Sequence, residues 1–307
     1  MLQDTKIVGL EENASSVLDY FIRVGISKCV LWVNPAQRDV FENVPLVKER
    51  RLNVPIRHTQ FDLRLAPYLV PLDLSLSSDI PIFLDSVEHA LYAWSSQSLT
   101  ASRGQPIAGW IVTSVQPKLL ARYWARNCYI HLWQRRSILL RFHDPGVREW
   151  LWPELDEWQQ SIILGPAEEI LSIGRTRKLL RQVRSDAASV HVMSTSLVLG
   201  ERQWNEILDY GVMHLAWVEA GCSSMIRGLG VEEWKKEVVS ALNRARCYGI
   251  KDSLDRQLFA FHVLQIGSDF DANGKMVPVW EKTCKGILYS VAIEEVFGCA
   301  ANQLRLS

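Results

Sequence analysis

The sequence predicts an α/β (α+β) N-terminal lobe with a mixed sheet, followed by an all-α C-terminal lobe. Up to about residue 184, short apolar runs rich in β-branched residues alternate with segments of helical periodicity. After residue 200 the periodicity is helical, and no convincing strand follows. We therefore expect an α/β lobe over 1–184, a linker over 185–200 and a helical lobe over 201–307.

The first lobe opens with a helix and then a strand. The helix predicted over 14–24 has one apolar face, and the strand predicted over 28–33 (KCVLWV) is apolar almost throughout, as in a buried strand. The apolar face of the helix comprises Val17, Leu18, Phe21 and Ile22. A second apolar run at 81–84 leads into another helix, for which Asp85 or Ser86 is the expected N-cap.

The middle of the chain repeats this alternation and adds a hairpin. A strand is predicted over 107–113, and Pro117 begins the next helix, because proline is favoured at the first helical position. The β-rich runs YIHLW (129–133) and SILLRFH (137–143) are separated by QRR, which is typical of a hairpin. A hairpin joins antiparallel strands, whereas a strand–helix–strand unit joins parallel ones, so we expect a mixed sheet.

Residues 141–166 (RFHDPGVREWLWPELDEWQQSIILGP) raise the question of whether Arg141 and Asp144 form a chemical site. Asp144 precedes Pro145, so its carboxylate can cap a helix in which the proline misses no backbone hydrogen bond. Capping explains the aspartate without chemistry, and the arginine ends a strand beside it. Both residues are therefore expected to be architectural.

The same stretch predicts a second capped helix. Pro153 ends or kinks the first helix, and Asp156 followed by Gln159 resembles a capping box that opens the next one. Gly165 and Pro166 then end the second helix.

The C-terminal lobe is predicted to be built from long helices. These helices are expected at 202–220, 231–249 and 253–267. Gly249 ends the second of them, and Asp252 caps the third. The apolar stripe of the third comprises Leu254, Leu258, Phe261 and Leu264.

Composition limits the class of protein. Lys plus Arg and Asp plus Glu both number 34, so no global field attracts nucleic acid or an acidic membrane. The start lacks the pattern of a signal peptide, and no apolar run reaches the length of a membrane span. Six cysteines without a CxxC pair fit reduced, mostly buried thiols. We expect a cytoplasmic protein without membrane insertion, and its twelve tryptophans permit a binding role without demanding one.

Residues 269–274 (DFDANG) match the first half of an EF-hand calcium loop, because acidic or amide side chains alternate before a glycine. The twelfth position must supply a bidentate carboxylate but is Trp280, and Pro278 interrupts the exiting helix. We therefore expect a polar turn between helices at this position and no metal site.

No complete catalytic motif is present in the sequence. The serines near Ser223 lack the glycine pattern of a nucleophile elbow, and there is no Walker loop or GxGxxG. The seven histidines are well separated, and none has paired-ligand spacing. We expect neither an enzyme nor a cofactor, although a hydrolase or transferase of unrecognised motif stays open, since distant residues can form a cluster.

Residues 174–184 (GRTRKLLRQVR) are strongly basic and could contact phosphates or an acidic partner. The candidate partner-binding residues are Arg175, Arg177, Lys178 and Arg181. The segment could equally be a solvated face. A nucleic-acid-binding module is the weaker functional hypothesis, because the segment lacks interleaved aromatic residues and the chain has no overall basic charge.

Taken together, the strand WIVTS, the proline-started helix, the hairpin ending LLRFHDPGV, then LWPEL and LGP resemble the type VI secretion effector-chaperone, or adaptor, family (domain of unknown function 4123). The run APYLVPL at 66–72 is also similar to the family pattern. The family signature falls here on Arg141, Phe142, Asp144, Pro145, Gly165 and Pro166. The chain departs from it at His143, where an aromatic residue is usual, and at Gly146, where a basic residue is common.

This resemblance implies a bacterial, cytoplasmic, non-enzymatic protein. It implies binding of one cognate toxin effector, at or near the effector's N-terminal region, and promotion of effector loading onto the VgrG spike protein for delivery. The signature residues are expected to be structural, and no nucleic acid is implied as a partner.

Overall fold

The structure, a computed structural model, describes residues 6–8, 13–57, 61–101, 103–131, 137–184, 197–221 and 231–306. The chain divides into two compact units, Met1–Trp204 and Asn205–Ser307. The first unit combines a sheet with helices and the second is helical, which confirms the predicted fold class. Most of the linker predicted at 185–200 lies outside the described residues.

Strands and helices alternate through the first unit. Its strands are β1 (Lys6–Val8), β2 (Lys28–Val33), β3 (Leu52–Asn53), β4 (Tyr68–Asp73), β5 (Ile107–Val112), β6 (Tyr129–His131), β7 (Ser137–Leu139), β8 (Glu169–Ile173) and β9 (Leu179–Val183). Its helices are α1 (Ala14–Arg23), α2 (Pro45–Arg50), α3 (Ile80–Ala93), α4 (Ser96–Thr100), α5 (Pro117–Asn127), α6 (Pro145–Leu151) and α7 (Glu157–Leu164). Short 3-10 turns lie at Leu63–Leu65 and Trp152–Glu154.

The main sheet has the strand order β1-β9-β8-β5-β2-β4-β3. Every pairing between its described strands is antiparallel, so the expectation of a mixed sheet was wrong. Helix α3 does join two strands of the same direction, β4 and β5, but β2 lies between them and runs opposite to both. The alternation of strands and helices therefore produces no parallel neighbours among the described strands.

The predicted hairpin is confirmed, with Ile130 opposite Ile138, but β6 and β7 form a small sheet of their own. The helix begun by Pro117 is also confirmed. The boundary expected at Asp85 or Ser86 was wrong. Helix α3 starts five residues or more earlier, at Ile80, because a proline in its first turn is compatible with helix.

Helices α1 and α3 cover one face of the main sheet. Phe21 of α1 and Phe83 of α3 have ring centroids 4.8 Å apart, and Phe83 lies 5.6 Å from the ring of Trp110 in β5. The indole Nε1 of Trp110 donates to the hydroxyl of Ser86 at 2.9 Å. A buried indole loses its water, so this hydrogen bond satisfies the only polar group of that side chain.

Helices α5 and α6 cover the opposite face. The indole of Trp124 in α5 stacks on that of Trp32 in β2, with centroids 4.0 Å apart and 10° between the planes. Trp124 Nε1 donates to the carbonyl oxygen of Ile163 at 2.8 Å, which fastens α5 to α7. Each tryptophan thus joins two elements, and the sheet is buried between two helical layers.

The second unit is built from α8 (Glu201–Gly221), which begins just before it, α9 (Val231–Cys247), α10 (Ser253–Ile266), α11 (Val277–Thr283) and α12 (Tyr289–Phe297). The capping predictions are confirmed. Helix α9 ends just before Gly249, which has a positive φ, and Asp252 accepts from two backbone N–H groups of α10. None of the described helices has the length and apolar character needed to cross a bilayer.

The core of the second unit forms around Phe259, Phe270 and Tyr289. The predicted stripe on α10 was partly wrong, because Leu254 is 71% exposed whereas Phe259 is fully buried. Leu254 lies in the first turn, next to Asp255, whose carboxylate accepts from the backbone N–H of Tyr289 at 2.6 Å. The start of α12 therefore docks on a polar side chain at this end of α10.

Candidate functional site

The signature residues Arg141, Phe142, Asp144 and Pro145 form the entry to α6. Asp144 is the N-cap, and its Oδ1 accepts from the backbone N–H groups of Gly146 at 2.9 Å and Val147 at 3.3 Å. Burial raises the pKa of the Asp144 carboxyl, and the positive charge of Arg141 opposes this effect. The Arg141–Asp144 ion pair is long, at 3.9 Å. Capping is therefore the main contact of this aspartate.

Phe142 and His143 turn the chain into the core. The ring of Phe142 lies 5.8 Å from that of Trp32 and 6.2 Å from that of Trp124. His143 is buried beside Trp32, with ring centroids 6.3 Å apart. Burial, with nearby arginine charges, lowers the pKa of His143 to about 3, so this histidine is neutral at pH 7. A neutral imidazole therefore packs against Trp32 at this position.

Gly165 and Pro166 form the exit from α7. Gly165 has a φ of +59°, and a Cβ there would lie 2.2 Å from a ring carbon of Tyr123. Its carbonyl oxygen accepts from Arg184, and the carbonyl oxygen of Pro166 accepts from the Thr113 hydroxyl at 3.2 Å. Glycine is required here because both its backbone angle and its close approach to a ring exclude a side chain.

The two halves of the signature meet at α5. The entry to α6 contacts Trp124, and the exit from α7 contacts Tyr123, whose hydroxyl donates to the carbonyl oxygen of Ile162 at 2.9 Å. The structure therefore brings together residues that lie more than twenty positions apart in the sequence. What they build is a scaffold that holds α5, α6 and α7 on the sheet.

Arg148 is the central polar residue of this scaffold, and the sequence reasoning missed it. Its side chain is 1% exposed and donates to Gln182 Oε1 at 2.5 Å, to the Phe142 carbonyl oxygen at 3.0 Å and to the Ala108 carbonyl oxygen at 2.7 Å. The guanidinium lies 5.6 Å from the ring centroid of Trp32. Burial lowers the pKa of Arg148 to about 10, which still leaves it charged at pH 7.

Gly109 lies beside this arginine, and its backbone approaches the carbonyl oxygen of Leu171 too closely for a side chain. Gly109 in β5 pairs with Trp32, and a Cβ at Gly109 would lie 3.4 Å from Nη2 of Arg148 and 2.3 Å from the carbonyl oxygen of Leu171. The sequence of α6 gives no clear signal for this role, since Arg148 is followed directly by Glu149 and a pair of opposite charges is typical of an exposed helix face.

The basic segment 174–184 forms the turn that follows β8 and the whole of strand β9. Arg175 is buried, with its guanidinium 5.7 Å from the ring centroid of Trp94. Arg177 lies in the turn with a φ of +60°, and its backbone N–H donates to Gly174. Lys178 is exposed. The hairpin therefore separates the candidate cations, and it turns Arg175 inward.

Arg181 in β9 and Arg184, which follows the strand, also make contacts within the protein. Arg181 forms a two-pronged ion pair with Glu169, with Nη2 donating to Oε2 at 2.9 Å, and lies 5.9 Å from the ring centroid of Tyr20. Arg184 donates to the carbonyl oxygens of Gly165 and Ala167. Both arginines stabilise the hairpin and the turn beside it, which leaves less charge for a partner than the sequence indicated.

The polar turn predicted at 269–274 is observed as two short 3-10 turns between α10 and α11. Asp271 is buried, and its Oδ2 accepts from Arg244 Nε at 2.9 Å and from the Tyr248 hydroxyl at 3.1 Å. The carboxylate of Asp271, which a calcium ion would need as a ligand, is therefore paired with Arg244. Within the described residues, no group of three or more His, Cys, Asp or Glu side chains has the geometry to hold a metal.

The structure shows which of the described tryptophan and cysteine side chains are buried. Six tryptophans are core residues among those whose burial the structure describes. These are Trp32, Trp94, Trp110, Trp124, Trp150 and Trp152. Trp158 in α7, by contrast, is 46% exposed. The described cysteines are free thiols, of which Cys29 and Cys128 are buried, so the expectation of mostly buried thiols holds for only these two.

A family model described as "Domain of unknown function (DUF4123)" matches residues 59–161, about one third of the chain. The match covers the segment from the 3-10 turn at Leu63–Leu65 to the middle of α7 and includes the entry to α6. Neither the curated proteins nor the solved structures include a match to the chain.

Proposed function

We propose that this chain is a bacterial type VI secretion effector chaperone, or adaptor. In this function it binds one cognate toxin effector in the cytoplasm and promotes its loading onto the VgrG spike protein. The observation that carries the proposal is the DUF4123 family match at residues 59–161, which contains the α6 entry with Arg141, Phe142, Asp144 and Pro145. The resemblance noted in the sequence connects that signature to effector binding.

The use of polar groups within the first unit supports a binding role. Asp144 caps a helix, Arg148 holds three elements together and Arg181 pairs with Glu169, so these conspicuous charged groups are occupied by structural contacts. A protein that acts through contact needs a stable framework with side chains presented on its surface, and these residues supply that framework.

Exposed apolar side chains within the family-matched residues also support the proposal. They are Leu63, Leu65, Leu76, Leu119 and Trp158. A tryptophan in contact with water is costly in a monomer and is typical of the residues that contribute most to protein interfaces. Trp158 is therefore our candidate anchor for the effector.

The proposal is tested by co-expressing the full chain with each protein encoded beside its gene and purifying the complexes after nuclease treatment. We expect one stable complex with one toxin effector. In a bacterium with a working type VI system, deleting the gene should abolish delivery of that effector and leave the others secreted. Unimpaired delivery of every effector, or co-purification with nucleic acid and no protein, would contradict the proposal.

A matched pair of variants tests the anchor. Trp158→Ala should weaken effector binding by about 2 kcal/mol or more, the usual effect of truncating an interface tryptophan. Leu254→Ala is the control, since it truncates an exposed apolar side chain outside the family-matched residues and should bind like the wild type. Equal affinities for the two variants would exclude Trp158 as an anchor.

A further inference from the structure

Helix α5 presents only positive charge to solvent. Its charged residues, Lys118, Arg122 and Arg126, are all exposed and are spaced four positions apart, so they lie along one face over about 12 Å. The helix contains no acidic residue. We call these three residues the α5 basic stripe.

The α5 basic stripe opposes the stability of its own helix. Lys118 lies in the first turn, at the positive end of the helix macrodipole, and the N-cap Gln116 makes no side-chain capping bond. Like charges four residues apart also destabilise a helix. Arg126 in the last turn is the one member whose position the macrodipole favours. Helix stability therefore does not explain the stripe.

No ion pair links the stripe to any acidic residue of the part of the chain that the structure describes. Arg181 and Arg184 differ, because Arg181 pairs with Glu169 and Arg184 donates to backbone carbonyl groups. Leu119, 44% exposed, lies next to Lys118 on the same solvent side of α5. An unpaired cationic face with one exposed apolar side chain is complementary to an acidic, amphipathic segment.

We propose that the α5 basic stripe, with Leu119, docks an acidic segment of the effector. This inference rests on the proposed function and adds the chemistry of the partner. Carboxylates at i, i+4 spacing on a partner helix recur about every 6 Å, which matches the spacing of the three cations. A protein is favoured over nucleic acid because the stripe has three cations, no aromatic residue for base stacking, and belongs to a chain of net charge zero.

Titration calorimetry tests the stripe, with the effector identified by co-expression as the probe. The charge-reversal variant K118E/R122E/R126E should bind the effector at least about tenfold more weakly than the wild type. The control K48E/R57E/R103E changes the net charge equally at exposed positions of the same unit and should keep wild-type affinity. Raising the salt concentration should lower the affinity of the wild type for the effector more than it lowers the affinity of K118E/R122E/R126E.

The possible outcomes separate this inference from the proposed function. If the effector binds K118E/R122E/R126E as tightly as the wild type, the stripe is not the docking site, although the chaperone function stands. If no neighbour-encoded protein binds at all, the chaperone function fails and the inference fails with it. Stripe-dependent binding of a 20-base-pair DNA duplex or of phosphatidylglycerol vesicles, without stripe-dependent effector binding, would overturn the acidic-protein assignment.

Two further measurements guard against misfolding and identify the docked segment. K118Q/R122Q/R126Q removes the like-charge repulsion, so it should melt no lower than the wild type yet bind more weakly. A photo-crosslinking benzophenone side chain at Leu119 should capture an effector peptide rich in Asp and Glu, whereas one at Ile22, which is 62% exposed and lies outside the family-matched residues, should not. Capture of a peptide without net negative charge at Leu119 would contradict the inference.

Discussion

Nε of Arg148 donates to Oε1 of Gln182 at 2.5 Å, which joins α6 to β9 inside the first unit. The same guanidinium holds two backbone carbonyl groups, so its removal leaves three acceptors without a donor and a cavity beside Trp32. Arg148→Ala should therefore lower the free energy of unfolding of the first unit by about 3–5 kcal/mol.

Urea denaturation measures this effect. Arg148→Met fills most of the space without a charge, and we expect it to lose less than the alanine variant, because it removes the cost of burying a cation. A wild-type denaturation midpoint for Arg148→Ala would show that the arginine does not hold the layers together.

The N-cap at Asp144 gives a second prediction. Asp144→Ala should lower the stability by about 0.5–2 kcal/mol, because two backbone N–H groups of α6 lose their acceptor. Asp144→Asn keeps an acceptor and should stay close to the wild type. Differential scanning calorimetry compares the two. If Asp144→Ala kept the wild-type melting temperature but lost effector binding, the residue would belong to the effector interface instead.

Gly165 gives a third prediction, with a glycine of the same unit as control. Gly165→Ala should lower the stability by about 2 kcal/mol or more, since it combines backbone strain with a clash against Tyr123. Gly25 also has a positive φ but has nothing within 4 Å of a built Cβ, so Gly25→Ala should show the backbone strain alone. Equal losses in thermal melts of the two variants would mean that Tyr123 yields to the added methyl group.

His262 makes the second unit sensitive to acid. Its Nε2 lies 2.8 Å from the Ala301 carbonyl oxygen, which can only accept, so Nε2 carries the proton and Nδ1 accepts from the Tyr289 hydroxyl at 2.7 Å. Burial lowers the pKa of His262 to about 4 from the ordinary 6.5. The folded state therefore favours the neutral imidazole, because the pKa of His262 is lower in the folded than in the unfolded chain. The stability that the neutral imidazole contributes is present above pH 6.5 and is lost as the pH falls towards 4.

The loss from this one group should reach on the order of 3 kcal/mol at the acid end of that window. Chemical denaturation of the wild type and of His262→Gln at a series of pH values between 7 and 4 measures it. We expect a shallower pH dependence in the variant, whatever its stability at pH 7. Identical slopes would show that His262 does not titrate in this range.

The local features of the fold could be predicted from the sequence because their causes are local. The cap at Asp144, the capping box at Asp156 and the helix begun by Pro117 each depend on residues within one turn, and all three are confirmed. The hairpin of β6 and β7 was predictable for the same reason.

The features missed by the sequence reasoning depend on distant partners. Arg148 contacts residues 34 and 40 positions away, and periodicity within α6 does not report on them. Strand β9 was not predicted because residues 174–184 were interpreted by their charge, although the strand buries the adjacent Leu179 and Leu180. Strand β8, which lies just before that segment, was also not predicted. The order of strands in the main sheet, which made every described pairing antiparallel, is likewise set by tertiary contacts.

The position of β2 between β4 and β5 determines which fragments of the chain can fold. Residues 59–161 contain β4 and β5, but each strand that pairs with them among the described residues, namely β2, β3 or β8, lies outside that segment. A fragment that contains only residues 59–161 would therefore expose both edges of two isolated strands, which favours aggregation.

During synthesis, β5 can pair with its second neighbour, β8, only after residue 173 has been made. Completion of the sheet is therefore a late event that depends on long-range contacts.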